Sequence, residues 1–181
     1  MSDEFTVLSV VAARLDAAGI DYMLSGSVAM GYYAQPRMTR DIDLVVELGH
    51  AQADALVAAL APEFYIDGEA AHEAVEARGM FNAIHSTLIV KVDFIVRKQS
   101  AYREAEFRRR RQVVIDGVRL SVVAPEDLIL SKLDWARDTR SEIQLRDVRN
   151  LLDSVPDLDR SYVDQWVAVL GLGDVLEAAQ R

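Results

Sequence analysis

Between Glu4 and Ala18 the apolar residues fall at Val7, Leu8, Val11, Ala12 and Leu15, the spacing of one buried stripe on a helix, and Gly19 follows as its C-cap. Tyr22, Met23 and Leu24 then form a short apolar strand that runs into a small-residue turn, Ser25-Gly26-Ser27, and an alanine- and tyrosine-bearing helical stretch continues to Gln35. From Asp41 to Val46 the pattern alternates, with Ile42, Leu44 and Val46 on one face of a strand and Asp41 and Asp43 on the other. The alanine-rich segment 49–61 places Ala51, Ala55, Leu56, Ala59 and Leu60 at helical spacing, and Pro62 ends it. Phe64-Tyr65-Ile66 reads as a short strand, and 67–78 as either a short helix or a loop. Two further strands, 79–84 and 88–97, are joined at His85-Ser86-Thr87. Asp116-Gly117, between two β-rich runs, is the strongest hairpin signal, because this dipeptide favours the turn that matches strand twist. Ala124-Pro125-Glu126-Asp127 opens a helix with proline at the first position and two acids in the first turn. Beyond Pro156 two short amphipathic helices, interrupted at Gly171 and Gly173, offer apolar residues to the core.

Together these elements predict an α+β fold, a mixed sheet of about five strands flanked by helices and followed by a C-terminal helical bundle. The 181 residues, 51% hydrophobic and 27% charged, suffice for one well-cored domain with a helical appendage. No apolar run is long enough to cross a membrane, and the acidic start Ser2-Asp3-Glu4 is unlike a signal peptide, so a cytoplasmic protein is expected. With no cysteine, disulfides, zinc-thiolate sites and a cysteine nucleophile are excluded. His50, His72 and His85 show no metal-ligand spacing. A net charge of −9 argues against a broad nucleic-acid-coating surface, but not against touching an RNA end. The run Arg108 to Arg111 is either a solvated connector or a local phosphate-contacting edge.

The candidate chemistry begins at Asp41 and Asp43, whose Cα atoms lie roughly 6 to 7 Å apart on one strand face. Mg²⁺ prefers one or two carboxylates plus substrate phosphate oxygens, so the pair suits a nucleotide site. Lacking a Cβ, Gly26 would let a phosphate approach the backbone, with the N–H groups of the following helix pointing at it. An Asp-x-Asp triplet alone is expected by chance in so acidic a chain and reads as a solvated strand end. Asp93 strengthens the case: it sits in a β-branched strand where a lone buried carboxylate costs several kcal/mol unless paired or metal-bound. Further on, Lys132 and Asp147 each lie among apolar neighbours at helical spacing. They either pair across a helix contact or sit at the stripe edges and reach to water.

Gly26-Ser27, Arg37-x-Thr39-x-Asp41-Ile42-Asp43-Leu44 and the later Asp93 resemble the signature of the nucleotidyltransferase superfamily with a DNA polymerase β-like core. With Pro125-Glu126-Asp127-Leu128 and Lys132, the chain is most similar to the AbiEii-type nucleotidyltransferase toxins of bacterial toxin–antitoxin systems, over about residues 20 to 155. The resemblance implies a catalytic core at residues 1–123 and a helical region at 124–181 that completes the nucleotide site. It implies transfer of a nucleoside monophosphate from an NTP to an acceptor hydroxyl, with release of pyrophosphate. Asp41, Asp43 and Asp93 would be the catalytic acids, holding two Mg²⁺ ions for which Mn²⁺ could substitute, and Asp93 would help deprotonate the acceptor. Gly26, Ser27, Arg37, Lys132 and Asp147 would bind the nucleotide, Lys132 as a point charge oriented by Asp147, while Thr39 supports the acids. The implied acceptor is a tRNA or other RNA end, and the implied protein partner a cognate antitoxin. Two readings stand beside this one: a non-catalytic relative that binds nucleotide or a partner, and a transferase acting on a small-molecule antibiotic. The C-terminal helical region is shorter than in many larger toxin-like members, and no motif sets the base of the NTP or the oligomeric state.

Overall fold

A computed structural model describes residues 2–181. Helix α1 (Asp3–Ala17) starts where the Ser2 hydroxyl accepts the N–H of Phe5 at 3.2 Å, and it buries the five residues of its predicted stripe. β1 (Tyr22–Ser25) leads directly into α2 (Gly26–Tyr33), and β2 (Asp41–Val46) shows the expected alternation. In α3 (His50–Leu60) the buried face is Ala53, Leu56 and Leu60; Ala51 and Ala55, expected on that stripe, are exposed. The two leucines bury far more surface than the alanines, and they set the rotation of the helix.

β3 (Phe64–Ile66) is followed by α4 (Gly68–Ala77), which settles the helix-or-loop alternative. The Asp67 carboxylate caps it by accepting the N–H groups of Glu69 at 2.9 Å and Ala70 at 3.2 Å. β4 (Met80–His85), β5 (Lys91–Val96) and α5 (Ala101–Arg108) come next. β6 (Arg111–Ile115) and β7 (Val118–Val122) form the predicted hairpin, with Asp116 at φ 48° and Gly117 at φ 82°, both positive as a tight strand-matching turn requires. The chain ends in α6 (Pro125–Thr139), α7 (Glu142–Ser154), α8 (Arg160–Leu170) and α9 (Gly173–Gln180).

One sheet holds seven strands in the order β3-β4-β5-β2-β1-β7-β6, two more than expected, because the β3–β4 and β6–β7 pairs extend its opposite edges. β2 pairs with β5, and β1 with β7, in parallel; the other neighbours are antiparallel. Polarity then decides where the chemistry can be. Since β1 runs antiparallel to β2, its last residue Ser25 lies beside Asp43, near the start of β2. Since β7 runs parallel to β1, α6 also leaves the sheet at this end, where the Tyr33 hydroxyl donates to the Val123 carbonyl at 2.7 Å. α3 packs against α1 and α4, while α2 links the sheet to α6 and α7. Ile42, Leu44, Val46 and Phe94 are fully buried between these layers, and the Phe81 and Phe94 rings stack with centroids 5.0 Å apart. No described helix is long and apolar enough to cross a membrane.

The arginine run is tied into the fold. Arg108 meets Glu104 at 3.2 Å, Arg110 meets Asp21 at 2.9 Å, and Arg111 lies 3.6 Å from Glu126. Arg109 reaches Glu126 at 2.9 Å and Asp127 at 3.0 Å, and both acids are buried at the start of α6. The Tyr162 hydroxyl of α8 donates to Asp127 Oδ1 at 2.7 Å, and the Arg109 guanidinium lies 3.8 Å above the same ring. The Glu126-Asp127 pair therefore ties α6 and α8 to the connection between α5 and the hairpin. Removing one partner of a buried charged network strands the others. Arg109→Met is expected to lower stability by about 3 kcal/mol, read as a fall in the urea midpoint; a change below about 1 kcal/mol would show the network to be idle.

Candidate active site

In the parallel β2–β5 pair Asp41 lies opposite Lys91 and Asp43 opposite Asp93, so side-chain alternation puts all four on one face. Asp93 is buried, Asp43 partly so, and the Asp41 side chain remains 54% exposed at the strand end. Burial, then the Asp93 and Asp41 charges, push the Asp43 carboxyl up to about 6, against the pull of Lys132 and Lys91. Lys91 Nζ lies 2.8 Å from Asp93 Oδ2 and 3.7 Å from Asp41 Oδ2. The other oxygen, Asp93 Oδ1, is buried and has no hydrogen-bond partner among the described residues. Among those residues no three carboxylate or imidazole groups stand arranged as a metal centre. The donor set is nonetheless of the kind a hard divalent cation takes, crowded carboxylate oxygens with one left orphaned.

Gly26 opens α2 at φ +63°, and a Cβ there would lie 1.8 Å from Asp43 Oδ2 and 2.6 Å from its Cγ. The room left by the missing side chain lets the Asp43 carboxylate lie against the start of α2. Ser25, at the N-cap, makes no side-chain cap bond, and Ser27 is buried in the first turn. The positive end of the α2 dipole thus sits against Asp43.

Lys132 and Asp147 pair, which decides between the two sequence alternatives. Lys132 Nζ lies 2.7 Å from Asp147 Oδ2 with both side chains 4% exposed, and it also donates to Gln144 Oε1 at 3.2 Å. Burial pulls the Lys132 ammonium below its usual pKa, and the Asp147 bond opposes that pull. The same Asp147 oxygen accepts Arg37 Nε at 3.3 Å, so Arg37 is held by the helices rather than standing free. Lys132 is near enough to Asp43 for each to bias the other's ionisation, which ties the helical contact to the strand acids. The Thr39 hydroxyl accepts the N–H of Asp41 at 3.3 Å and steadies the strand end.

Sequence reasoning passed over Lys91 and Gln144. Lys91-x-Asp93 repeats the two-residue spacing of Asp41-x-Asp43, and that was the available signal for the first; Gln144 carried none. The histidines take no part in the acid cluster. His50 and His72 meet through their Nδ1 atoms at 2.9 Å across α3 and α4, with His72 Nε2 2.8 Å from Asp54. His85 Nδ1 accepts the N–H groups of Thr87 and Leu88 and closes the β4–β5 connection.

The raised carboxyl of Asp43 makes metal-free stability depend on pH. Its unfolded-state pKa is about 3.9. Below that value its favourable contribution is fully present, and as pH rises through about 6 a buried charge forms and the contribution is lost. In EDTA, Asp43→Asn is therefore expected to be more stable than the wild type by about 2 kcal/mol at pH 8, with the difference gone by about pH 4. Urea midpoints across that range measure it, and a difference that does not change with pH would contradict it.

Solved structures share this architecture. The antigenic nucleotidyltransferase-like protein from Paracoccidioides brasiliensis superposes with a TM-score of 0.59 at 22% identity, covering 98% of this chain and 94% of its own. ANT(2″)-Ia in complex with adenylyl-2″-tobramycin gives 0.62 at 16% identity, covering 93% and 97%. The lincosamide antibiotic adenylyltransferase LnuA, lincomycin-bound, gives 0.51 at 12%, covering 81% and 92%. At such identities the likeness is one of fold. No curated protein matches the chain in sequence. Residues 4–171 match the family model described as a nucleotidyl transferase of unknown function (DUF2204), and the chain belongs to that family of nucleotidyl-transfer enzymes.

Proposed function

We propose that the chain moves a nucleoside monophosphate from an NTP to an acceptor hydroxyl, with Asp41, Asp43 and Asp93 holding divalent cations. The observation that carries this reading is the orphaned Asp93 Oδ1 beside an Asp43 whose ionisation is resisted by burial and by the Asp93 and Asp41 charges. When bound, Mg²⁺ or Mn²⁺ would neutralise phosphate charge and favour the ionised acceptor hydroxyl. The remaining work belongs to the chain. The acceptor oxygen forms a bond to the α-phosphorus, the α–β bridge breaks, and pyrophosphate leaves with the electron pair. Asp93 accepts the acceptor's proton, and the first-turn N–H groups of α2, with Ser27, hold the polyphosphate. Lys132, aimed by Asp147, neutralises it, and Arg37 shares that orienting carboxylate. In this division residues 1–123 carry the acids and 124–181 complete the nucleotide site.

Two acceptors are carried by different features. An RNA end, as for an AbiEii-type toxin governed by an antitoxin, is supported by the motif resemblance, which extends through Pro125-Glu126-Asp127 to Lys132. A small hydroxyl-bearing cation is favoured by charge: Arg109 and Arg110 of the 108–111 run are engaged by acids of the same chain, and the net charge is −9. Two of the structures with this fold contain tobramycin adenylate and lincomycin.

Incubation with α-labelled NTPs and Mg²⁺, with either total RNA or tobramycin as acceptor, separates the two. Label is expected on one acceptor only, and its loss from both would remove the transferase mechanism. Asp43→Ala and Gly26→Ala are each expected to lower transfer by about 10³-fold with the fold retained, the second because its new Cβ must drive Asp43 aside. Transfer at the wild-type rate in either variant would refute the assignment of these residues.

A further inference from the structure

The acid cluster contains a positive charge that the nucleotidyl-transfer reading does not use. Strand register fixes Lys91 opposite Asp41, two residues ahead of Asp93 on the same face. Its ammonium touches Asp93 Oδ2 at 2.8 Å and comes within 3.7 Å of Asp41 Oδ2, so one group spans two of the three acids. Asp93 is thereby split, with Oδ2 satisfied by Lys91 and Oδ1 buried and without a partner. The other nearby cation is differently placed. Lys132 is 4% exposed and fastened by Asp147 and Gln144, whereas the Lys91 side chain is 37% exposed and has a path to water.

We propose that Lys91 is a tethered counter-cation that holds the acid cluster together before metal binds and competes with the divalent ion for it, so that its charge sets the cation concentration at which the site fills. The inference rests on the reading of Asp41, Asp43 and Asp93 as a cation site. Two features support it. A nearby positive charge relieves the repulsion between carboxylates on adjacent strands, and Lys91 is the cation in direct contact with Asp93 and Asp41. A divalent ion that reaches Asp93 Oδ1 also approaches the ammonium on the same carboxylate, and like charges a few ångströms apart repel even where water screens them. Lys91 then gives way toward solvent, while Lys132 stays where the helices hold it. Lys91 acts in this scheme as a positioning residue, through the charge balance of the acids.

The experiment measures Mn²⁺ binding without nucleotide, by electron paramagnetic resonance or calorimetry, together with thermal melting in EDTA. Lys91→Met, which keeps the apolar stem, is expected to bind Mn²⁺ about tenfold more tightly than the wild type. It is also expected to melt lower in EDTA, with the deficit removed by saturating Mn²⁺. Lys91→Arg, which restores the charge, is expected to return affinity to the wild-type value, and Lys91→Gln serves if the methionine variant does not fold. Equal or weaker binding by the neutral variant, beside normal binding by the wild type, overturns the role of Lys91 and leaves the cation site intact. An arginine variant that binds as tightly as the methionine variant overturns it too, since shape rather than charge would then decide. If neither wild type nor variant binds Mn²⁺, the cation reading falls and takes this inference with it.

Discussion

Carboxylates set side by side on neighbouring parallel strands repel one another, and such a cluster is held by positive charge brought close to it or by a retained proton. At an effective dielectric near 20, two unit charges 4 Å apart interact by about 4 kcal/mol, a large share of a domain's stability. Here Asp43 and Asp93 are register partners at the centre of a seven-stranded sheet. The compensating charge comes from several directions. Lys91 projects from the same strand as Asp93, the first turn of α2 presents its dipole, and Lys132 approaches from α6. The order of strands serves this delivery, because antiparallel β1 and parallel β7 send α2 and α6 away from the sheet at the end where the acids lie.

That delivery needs a rigid mount, and the buried acids of α6 supply it. Glu126 and Asp127 do no chemistry in this arrangement. With Arg109 and Tyr162 they join the end of α5, the start of α6 and α8, and so fix the helix that carries Lys132. Close packing at Gly26 is a second constraint of the same kind. Asp43 can lie against the start of α2 because no side chain stands in between.

Much of this was legible in the residues and some was not, for physical reasons. Period-two and helical spacing located the central strands and most of the helices, while α4 stayed open between helix and loop and α5 was hidden in the charged run. Asp41, Asp43 and Asp93 share a face because alternation demands it. The face of α3 was misjudged because alanine contributes little burial, so a stripe of alanines is a weak guide beside Leu56 and Leu60. Strand count was underestimated because a hairpin does not announce which sheet edge it will join. The pairing of Lys132 with Asp147 could not be read from spacing alone, since it depends on how two helices dock. Likewise the arginine run looked the same as a solvated edge until its partners, Asp21 and Glu126, were brought near from distant parts of the chain. The close approach of the Asp43 carboxylate to Gly26 is a contact across 17 positions of sequence that no local pattern encodes.

The placement of Lys91 has a consequence for the growing polypeptide. Ribosomes make the chain from the N-terminus, so Lys91 is polymerised two residues before the third acid, and the counter-charge is already present when Asp93 joins the nascent sheet. Lys132 and Asp147 are added only later, after the β7 strand that carries them to their place. Translation that stops between Val122 and Lys132 leaves the three acids with Lys91 and the start of α2 as their positive neighbours, and without the buried Lys132–Asp147 pair.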